Sequence, residues 1–136
     1  SALRSVGSDH TDRKAETYGV ALSKQLCGKV IGRALWRYED VAKHWDDLVL
    51  RARVMIGGER VLYQEGPLTG LRSADDLIQR YAGGKGLSAG TLMFGGTMPA
   101  IGGIRPADRF EMELHDPVLG RTLQHGYDVV ALPVVT

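Results

Sequence analysis

Three groups that could take part in chemistry lie far apart along this sequence: an acid, an amine and a hydroxyl. Asp9, in the segment DHTDR at 9–13, could ligate a hard cation such as Mg2+ or Ca2+. The alternative is an aspartate that caps a turn. Lys24, in the apolar context VALSKQL, could stabilise a developing enolate or carbanion. The alternative for Lys24 is a surface lysine whose ammonium group reaches water.

The hydroxyl belongs to Thr97, in the glycine-rich loop GGTMPAIGG at 95–103. This loop has neither the G-x-G-x-x-G spacing of a dinucleotide site nor the Gly-Lys-Ser/Thr of a phosphate loop. Backbone amides around Gly96 and the Thr97 hydroxyl suit a small anionic ligand, although a tight turn between strands would also explain the glycines. Arg13 could clamp a carboxylate through its planar guanidinium group, or be an exposed arginine at the start of a helix.

Three further residue types invite a chemical interpretation. His10 could ligate a transition metal, but adjacent strand residues point to opposite faces, so we expect a histidine at the surface or the edge of the core. Glu111 and Glu113 share a strand face and could chelate a metal; a solvated strand face is the alternative. Cys27 has no histidine nearby in sequence and is predicted to be a packed small hydrophobe.

Composition and charge exclude several classes of function. A chain of 136 residues can bury a core as a single domain, 1–136. The net charge is +1 and no basic stripe is present, so we expect no nucleic-acid partner. No apolar run approaches the ~18 residues of a membrane span, so we expect no membrane partner. The single cysteine suits a reducing cytoplasm. The chain begins Ser-Ala, and we expect it to be incomplete at its N-terminus.

The elements that must position these groups are predicted from local patterns. Residues 12–26 fit either a helix or an extended run. Alternating apolar residues around Gly57-Gly58 predict a hairpin, and Ser73 followed by acidic residues predicts a helix N-cap. The predicted helices are 38–45 and 74–82, and the predicted strands are 48–56, 61–63, 91–94, 110–114 and 121–130. Strands outnumber helices, so the predicted class is α+β with a largely β core.

Taken in order, these motifs resemble the fumarylacetoacetate hydrolase superfamily. The segment GSDHTDR at 7–13 is similar to that family's Asn-Asp-x-(Ser/Thr)-Ala-Arg-Asp, and ALSKQL at 21–26 to its Gly-Lys-Ser. The loop GGTMPAIGG and the segment RPADRFEMELHDPVLG at 105–120 follow in the family's order. The resemblance covers residues 7–130. It departs from the family at Lys24, which is followed by Gln rather than Ser, and in the first motif.

The resemblance implies a mixed-sheet β-roll with short helices and a divalent metal, Mg2+, Mn2+ or Ca2+. It implies metal-assisted hydrolysis of a carbon–carbon bond next to a carbonyl in a small oxo-acid, or a related isomerisation or decarboxylation. By position, Asp9 would be a metal ligand and Lys24 the catalytic stabiliser of an enolate-like carbanion. Substrate contacts would come from Arg13, Tyr18, Gly96 and Thr97.

The family's Glu-x-Glu metal ligands and its catalytic histidine would lie upstream of residue 1. We therefore expect the chain to be the C-terminal portion of a longer catalytic domain, with weak metal binding and poor turnover as it stands. We also expect a homodimer, or association with the missing N-terminal segment. The alternative function is a small-molecule binding module that keeps the pocket without the chemistry, or an inactive fragment of such an enzyme.

Overall fold

The computed structural model describes residues 2–133 and 135 of the chain. The described residues form a mixed α+β structure that is mainly β. Its strands are β1 Leu3–Arg4, β2 Gly7–Ser8, β3 Val30–Ile31, β4 Trp36–Arg37, β5 Val49–Ile56, β6 Glu59–Pro67, β7 Arg109–Asp116 and β8 Arg121–Asp128. Its α-helices are α1 Val20–Gln25, α2 Tyr38–Val41 and α3 Ala74–Ala82, with 3-10 turns at Ala15–Thr17, Ala42–Asp47, Leu68–Gly70 and Gly83–Lys85.

An antiparallel sheet in the order β6-β5-β7-β8 forms the body of the described structure. The β5–β6 hairpin turns through Gly57 and Gly58, with φ of 57° and 82°, the left-handed conformations that a two-residue hairpin loop of this kind requires. Ala52 lies opposite Met112 of β7, and Met112 lies opposite His125 of β8. The sheet therefore presents one continuous face with a period of two residues.

Two short antiparallel ladders pair the N-terminal residues with the segment that contains β3 and β4. Strand β1 pairs with β4, and β2 pairs with β3. In the second ladder Gly7 lies opposite Ile31 and Ser8 opposite Val30. These pairings fix the position of the segment that follows Ser8, in which the sequence places its candidate acid.

The core lies between the central strands and the α2 region. It contains these buried residues: Val6, Trp36, Val41, Leu48, Leu68, Met112, Leu114 and Leu123. Val41 and Leu48 have no exposed surface. Burial of each side chain of this size contributes about 1.5–3 kcal/mol to the free energy of folding. The cluster joins residues of the sheet to Val6 and Trp36 of the N-terminal segment, and so holds the two together. Among the described helices, none has the length and apolar character needed to cross a membrane.

Several predicted elements are confirmed by the structure. The hairpin around Gly57-Gly58 and the last two strands are present. Helix α3 spans Ala74–Ala82 as predicted, and the Ser73 side chain accepts a hydrogen bond from the Asp76 amide at 3.1 Å. The ambiguous segment 12–26 contains a 3-10 turn and α1. The predicted helix 38–45 is divided, because His44 has non-helical φ and ψ within the 3-10 stretch.

The predicted strand at 91–94 is wrong. These residues form no strand in the described structure, and Leu92 is 59% exposed. Strand propensity depends on a partner strand and a surface to pack on, whereas the Thr91 amide makes a local turn bond, to the Ser88 carbonyl at 3.2 Å. The ring of Phe94 instead lies over Gly7, where an added Cβ would come within 2.8 Å of its Cε1 atom.

Candidate functional site

A cavity of about 850 Å³ lies between the face of the sheet, the N-terminal segment and the loop before β7. Asp9, Lys24 and Thr97 all line it. Three segments far apart in sequence therefore contribute an acid, an amine and a hydroxyl to the same cavity. The β2–β3 ladder positions Asp9, and α1 carries Lys24. The loop after α3 brings Gly96 and Thr97 to the same cavity.

The Asp9 carboxylate is held by two lysines, one at each oxygen. Lys24 Nζ lies 2.7 Å from Oδ2, and Lys29 Nζ lies 2.8 Å from Oδ1. These are the distances of charge-assisted hydrogen bonds. Hydrogen bonds from Lys24 and then Lys29 lower the pKa of Asp9 below its usual value, since both favour the ionised carboxylate. Asp9 is therefore an anion with both oxygens engaged.

The Thr97 hydroxyl is positioned by Gln64 of β6. The Gln64 side-chain amide donates to Thr97 Oγ1 at 2.8 Å and also to the Met98 carbonyl. Met98 is buried and packs over Gly66, where an added Cβ would come within 2.7 Å of its sulfur. Gly96, with φ of 119°, also lines the cavity. The glycine-rich loop is therefore fixed to the sheet rather than being a simple turn between strands.

Two other predicted substrate contacts differ in their placement. Arg13 lines the cavity, but its guanidinium group also pairs with Glu16 at 2.7 Å. Tyr18 is 81% exposed and is absent from the described residues that line the cavity. It lies in the turn before α1, on the outer side of the N-terminal segment. The structure thus brings together Asp9, Lys24, Gly96, Thr97 and Arg13 and leaves Tyr18 outside.

His10 also lines the cavity, within a hydrogen-bonded group of three side chains. Its Nδ1 shares a hydrogen bond of 2.8 Å with the Tyr127 hydroxyl, which shares another of 2.7 Å with Ser8. Burial, followed by the charges of Lys29 and Arg13, lowers the pKa of His10, and burial raises the pKa of Tyr127. His10 and Asp9 both reach the cavity because β2 ends at Ser8, so strand alternation does not apply beyond it.

The rest of the cavity is largely apolar, although Arg51, Arg105 and Asp108 also line it. Its floor is formed by the β5 side chains Leu50, Ala52, Val54 and Ile56, with Phe110 and Met112 of β7. Arg105 lies at the far wall, 5.5 Å from the centre of the Tyr63 ring, and donates to the carbonyls of Ile101 and Gly103. A small molecule with an anionic head and a short apolar body would match this lining.

Sequence reasoning missed Lys29, Gln64, Arg105 and Tyr127. Lys29, Gln64 and Tyr127 have partners at a large sequence separation. Arg105 has the distant ring of Tyr63 as well as two nearby carbonyls, and no local motif marks these pairings.

The residues present do not form a complete site for a divalent metal. Within residues 2–133 and 135, no group of three or more His, Cys, Asp or Glu side chains is placed to hold one. Asp9 already has an ammonium group at each oxygen. Glu113 pairs with Arg53 at 2.6 Å, and Glu111 with Arg60 at 2.9 Å. The acids that the sequence offered as metal ligands are thus engaged by cations of the chain itself.

A family described as "Protein of unknown function (DUF2848)" matches residues 1–127, and the chain therefore belongs to that family. Comparisons with curated proteins and with solved structures found no match. The family description assigns no activity, so any function must be argued from the cavity itself.

Proposed function

We propose that this chain binds a small 2-oxo acid in the cavity and breaks a carbon–carbon bond next to its carbonyl, by hydrolysis or decarboxylation, or isomerises such a compound. The observation that carries the proposal is that Lys24, Asp9 and Thr97 line one cavity of about 850 Å³. That volume lies in the range of small-molecule sites.

The polar end of the cavity supports an anionic ligand. Lys24 and Arg13 contribute positive charge, and Thr97 contributes a hydroxyl next to the backbone of Gly96. A carboxylate accepts hydrogen bonds from such groups, and its charge is attracted to the ammonium and guanidinium groups. The same ammonium group of Lys24 could stabilise an enolate oxygen, which carries negative charge only as the reaction proceeds.

Decarboxylation of a 3-carboxy-2-oxo acid requires little else from the protein. The bond between the carboxylate carbon and C3 breaks, CO2 leaves, and the bonding electrons form an enolate. Lys24 stabilises the enolate oxygen, and C3 then takes a proton from water. The hydrolytic reaction requires a 2,4-dioxo acid: water adds to the C4 carbonyl carbon, the C3–C4 bond breaks, and C4 leaves as a carboxylic acid. C3 keeps the bonding electrons as the same enolate, which then takes up a proton.

The order of the motifs supports a finer proposal about the fold. We propose that the sheet and its N-terminal ladders correspond to the β-roll of fumarylacetoacetate-hydrolase-like enzymes. The support is that the segments resembling that family at 7–13, 21–26 and 95–103 meet at one cavity. That family's divalent metal does not fit the residues described here, since both Asp9 oxygens are paired with lysines.

Decarboxylation of oxaloacetate tests the proposed function. Oxaloacetate consumption and pyruvate formation would be followed with the 136-residue chain, in parallel with EDTA and with added Mg2+. We expect a rate above background that Lys24→Met lowers by about a hundredfold, the usual effect of losing one oxyanion-stabilising donor. The matched control is Lys85→Met, because Lys85 is an exposed lysine beyond α3. Equal rates for the two variants would contradict the proposal.

A non-catalytic binding module is the second candidate, and the partners of Lys24 favour it. The Lys24 ammonium group donates to Asp9 at 2.7 Å and lies 3.4 Å from Thr11 Oγ1. These contacts fix the position of the ammonium group at the cavity, which suits binding of a carboxylate. Calorimetry with oxalate, a planar analogue of the pyruvate enolate, separates the candidates: Lys24-dependent oxalate binding without oxaloacetate turnover would identify a binding module.

A further inference from the structure

We propose that Lys29 is a built-in counter-cation for Asp9 that converts the polar end of the cavity from a cation site into an anion site. The inference rests on the proposed function, because the anion in question is the carboxylate end of the 2-oxo acid. It assigns Lys29 as a positioning residue that determines which class of ligand the site accepts, without contacting that ligand itself.

The position of Lys29 follows from strand pairing. Ser8 lies opposite Val30 in the β2–β3 ladder, and Asp9 and Lys29 are the residues immediately beyond the paired ends of these two strands. Cross-strand neighbours of opposite charge attract each other. The Lys29 ammonium group makes a second hydrogen bond, to the His10 carbonyl at 2.6 Å. Two contacts on adjacent residues therefore hold this cation at the Asp9 carboxylate.

The charges show what Lys29 changes. Asp9 with Lys24 alone would be a neutral pair, whereas Asp9 with both lysines carries a net charge of +1. Lys24 lines the cavity, and Lys29 is absent from its described lining. Lys29 therefore neutralises the charge of Asp9 without lining the cavity. The positive charge of Lys24 stays uncompensated at the cavity, where a ligand would bind.

The same arrangement opposes a divalent cation. A metal ion at Asp9 would have to displace an ammonium group or lie beside two of them, and like charges at such distances repel. The acids nearest to Asp9 in sequence are engaged elsewhere: Asp12 Oδ1 accepts from the amides of Lys14 and Ala15, and Glu16 pairs with Arg13. The family resemblance implies a divalent metal at Asp9, and Lys29 is the residue that we infer prevents it from binding there.

Calorimetry on the whole chain tests the inference with two probes, oxalate in EDTA and Mn2+ alone. We expect Lys29→Met to weaken oxalate binding by at least about tenfold, which corresponds to about 1.4 kcal/mol. The same variant should bind Mn2+ at least about tenfold more tightly than the unsubstituted chain, since Asp9 gains a free oxygen. Lys29→Arg should retain oxalate binding and gain no Mn2+ affinity, because its charge is kept. Lys85→Met is the control for removal of a lysine charge elsewhere.

The double variant Lys29→Met/Asp9→Asn distinguishes the outcomes. Under the proposal it loses the Mn2+ affinity that Lys29→Met gains. Unchanged oxalate and Mn2+ affinities in a Lys29→Met chain that still unfolds cooperatively would overturn the inference; if that variant does not fold, Lys29→Gln replaces it and the same criteria apply. Tight Mn2+ binding to the unsubstituted chain that Asp9→Asn removes would also overturn it. The proposed function fails separately, if oxalate binding and oxaloacetate turnover do not depend on Lys24.

Discussion

At the scale of single residues, the partners of each charged group determine its role. Asp9 is partly exposed and holds two lysines at the cavity, whereas Asp116 is completely buried at the end of β7. His44 Nε2 lies 2.9 Å from Asp116 Oδ2, and the amides of Val118 and Leu119 donate to Oδ1 at 3.0 and 3.1 Å. Asp116 therefore ties the β7–β8 turn to the segment after α2, and its role is structural.

We predict that Asp116→Ala lowers the free energy of unfolding by at least about 3 kcal/mol, because it leaves buried partners without their acceptor. The matched control is Asp128→Ala, which breaks an exposed pair with Arg109 and should cost within about 1 kcal/mol. Urea unfolding of the two variants at neutral pH measures both effects. Equal losses of stability would show that the Asp116 network contributes no more than a surface ion pair.

The stability that Asp116 contributes should depend on pH in a direction set by its pKa. Burial alone would raise the pKa of Asp116, but hydrogen bonds from His44 and the backbone amides outweigh it and lower the pKa. A depressed folded pKa contributes stability that is complete above the ordinary aspartate value and is lost as the pH falls through the folded value. The gap between the unsubstituted chain and Asp116→Ala should therefore persist at neutral pH and shrink only in acid. A gap that closes near neutrality would contradict this assignment.

At the scale of elements, the glycine-rich loop is the wall of the cavity that depends most on backbone geometry. Gly96 has φ of 119°, and a Cβ there would lie 3.1 Å from Leu71 Cδ2. Its neighbour Gly95 has no such φ, and a Cβ there would meet only Leu77 Cδ1, at 4.0 Å. Adjacent glycines of one loop thus differ in how much they tolerate a side chain.

We predict that Gly96→Ala destabilises the chain by about 1–3 kcal/mol, the usual cost of a sparsely populated backbone conformation, and weakens oxalate binding. Gly95→Ala should change stability by less than about 0.5 kcal/mol, as substitutions at unstrained sites do. Thermal unfolding and calorimetry check both variants. A tolerated Gly96→Ala would mean that the loop adopts another conformation around Thr97.

Across the whole molecule, the sequence predicted those elements whose formation depends on neighbouring residues in the chain. The β5–β6 hairpin follows from Gly57-Gly58 between alternating strands, and α3 follows from its Ser73 cap. The apolar segment 91–94 was misassigned because strand formation needs a partner that no local pattern reveals. The acid, amine and hydroxyl of the site were recognisable by residue type, and the structure places all three at one cavity.

The second cation was not predictable, since Lys29 becomes a partner of Asp9 only when β2 pairs with β3. The expected homodimer, or association with an upstream segment, stays a prediction. Size-exclusion chromatography with light scattering would measure the mass of the particle in solution.

Asp9, Lys24 and Thr97 are proposed to form one site for a small carboxylate. The most direct measurement is a titration of the isotopically labelled chain with oxalate in EDTA, followed by amide chemical shifts. Signals from the segments around these three residues should move together, with one dissociation constant, and Lys24→Met should suppress all of these shifts. Shifts confined to one segment, or unchanged by Lys24→Met, would contradict a shared site.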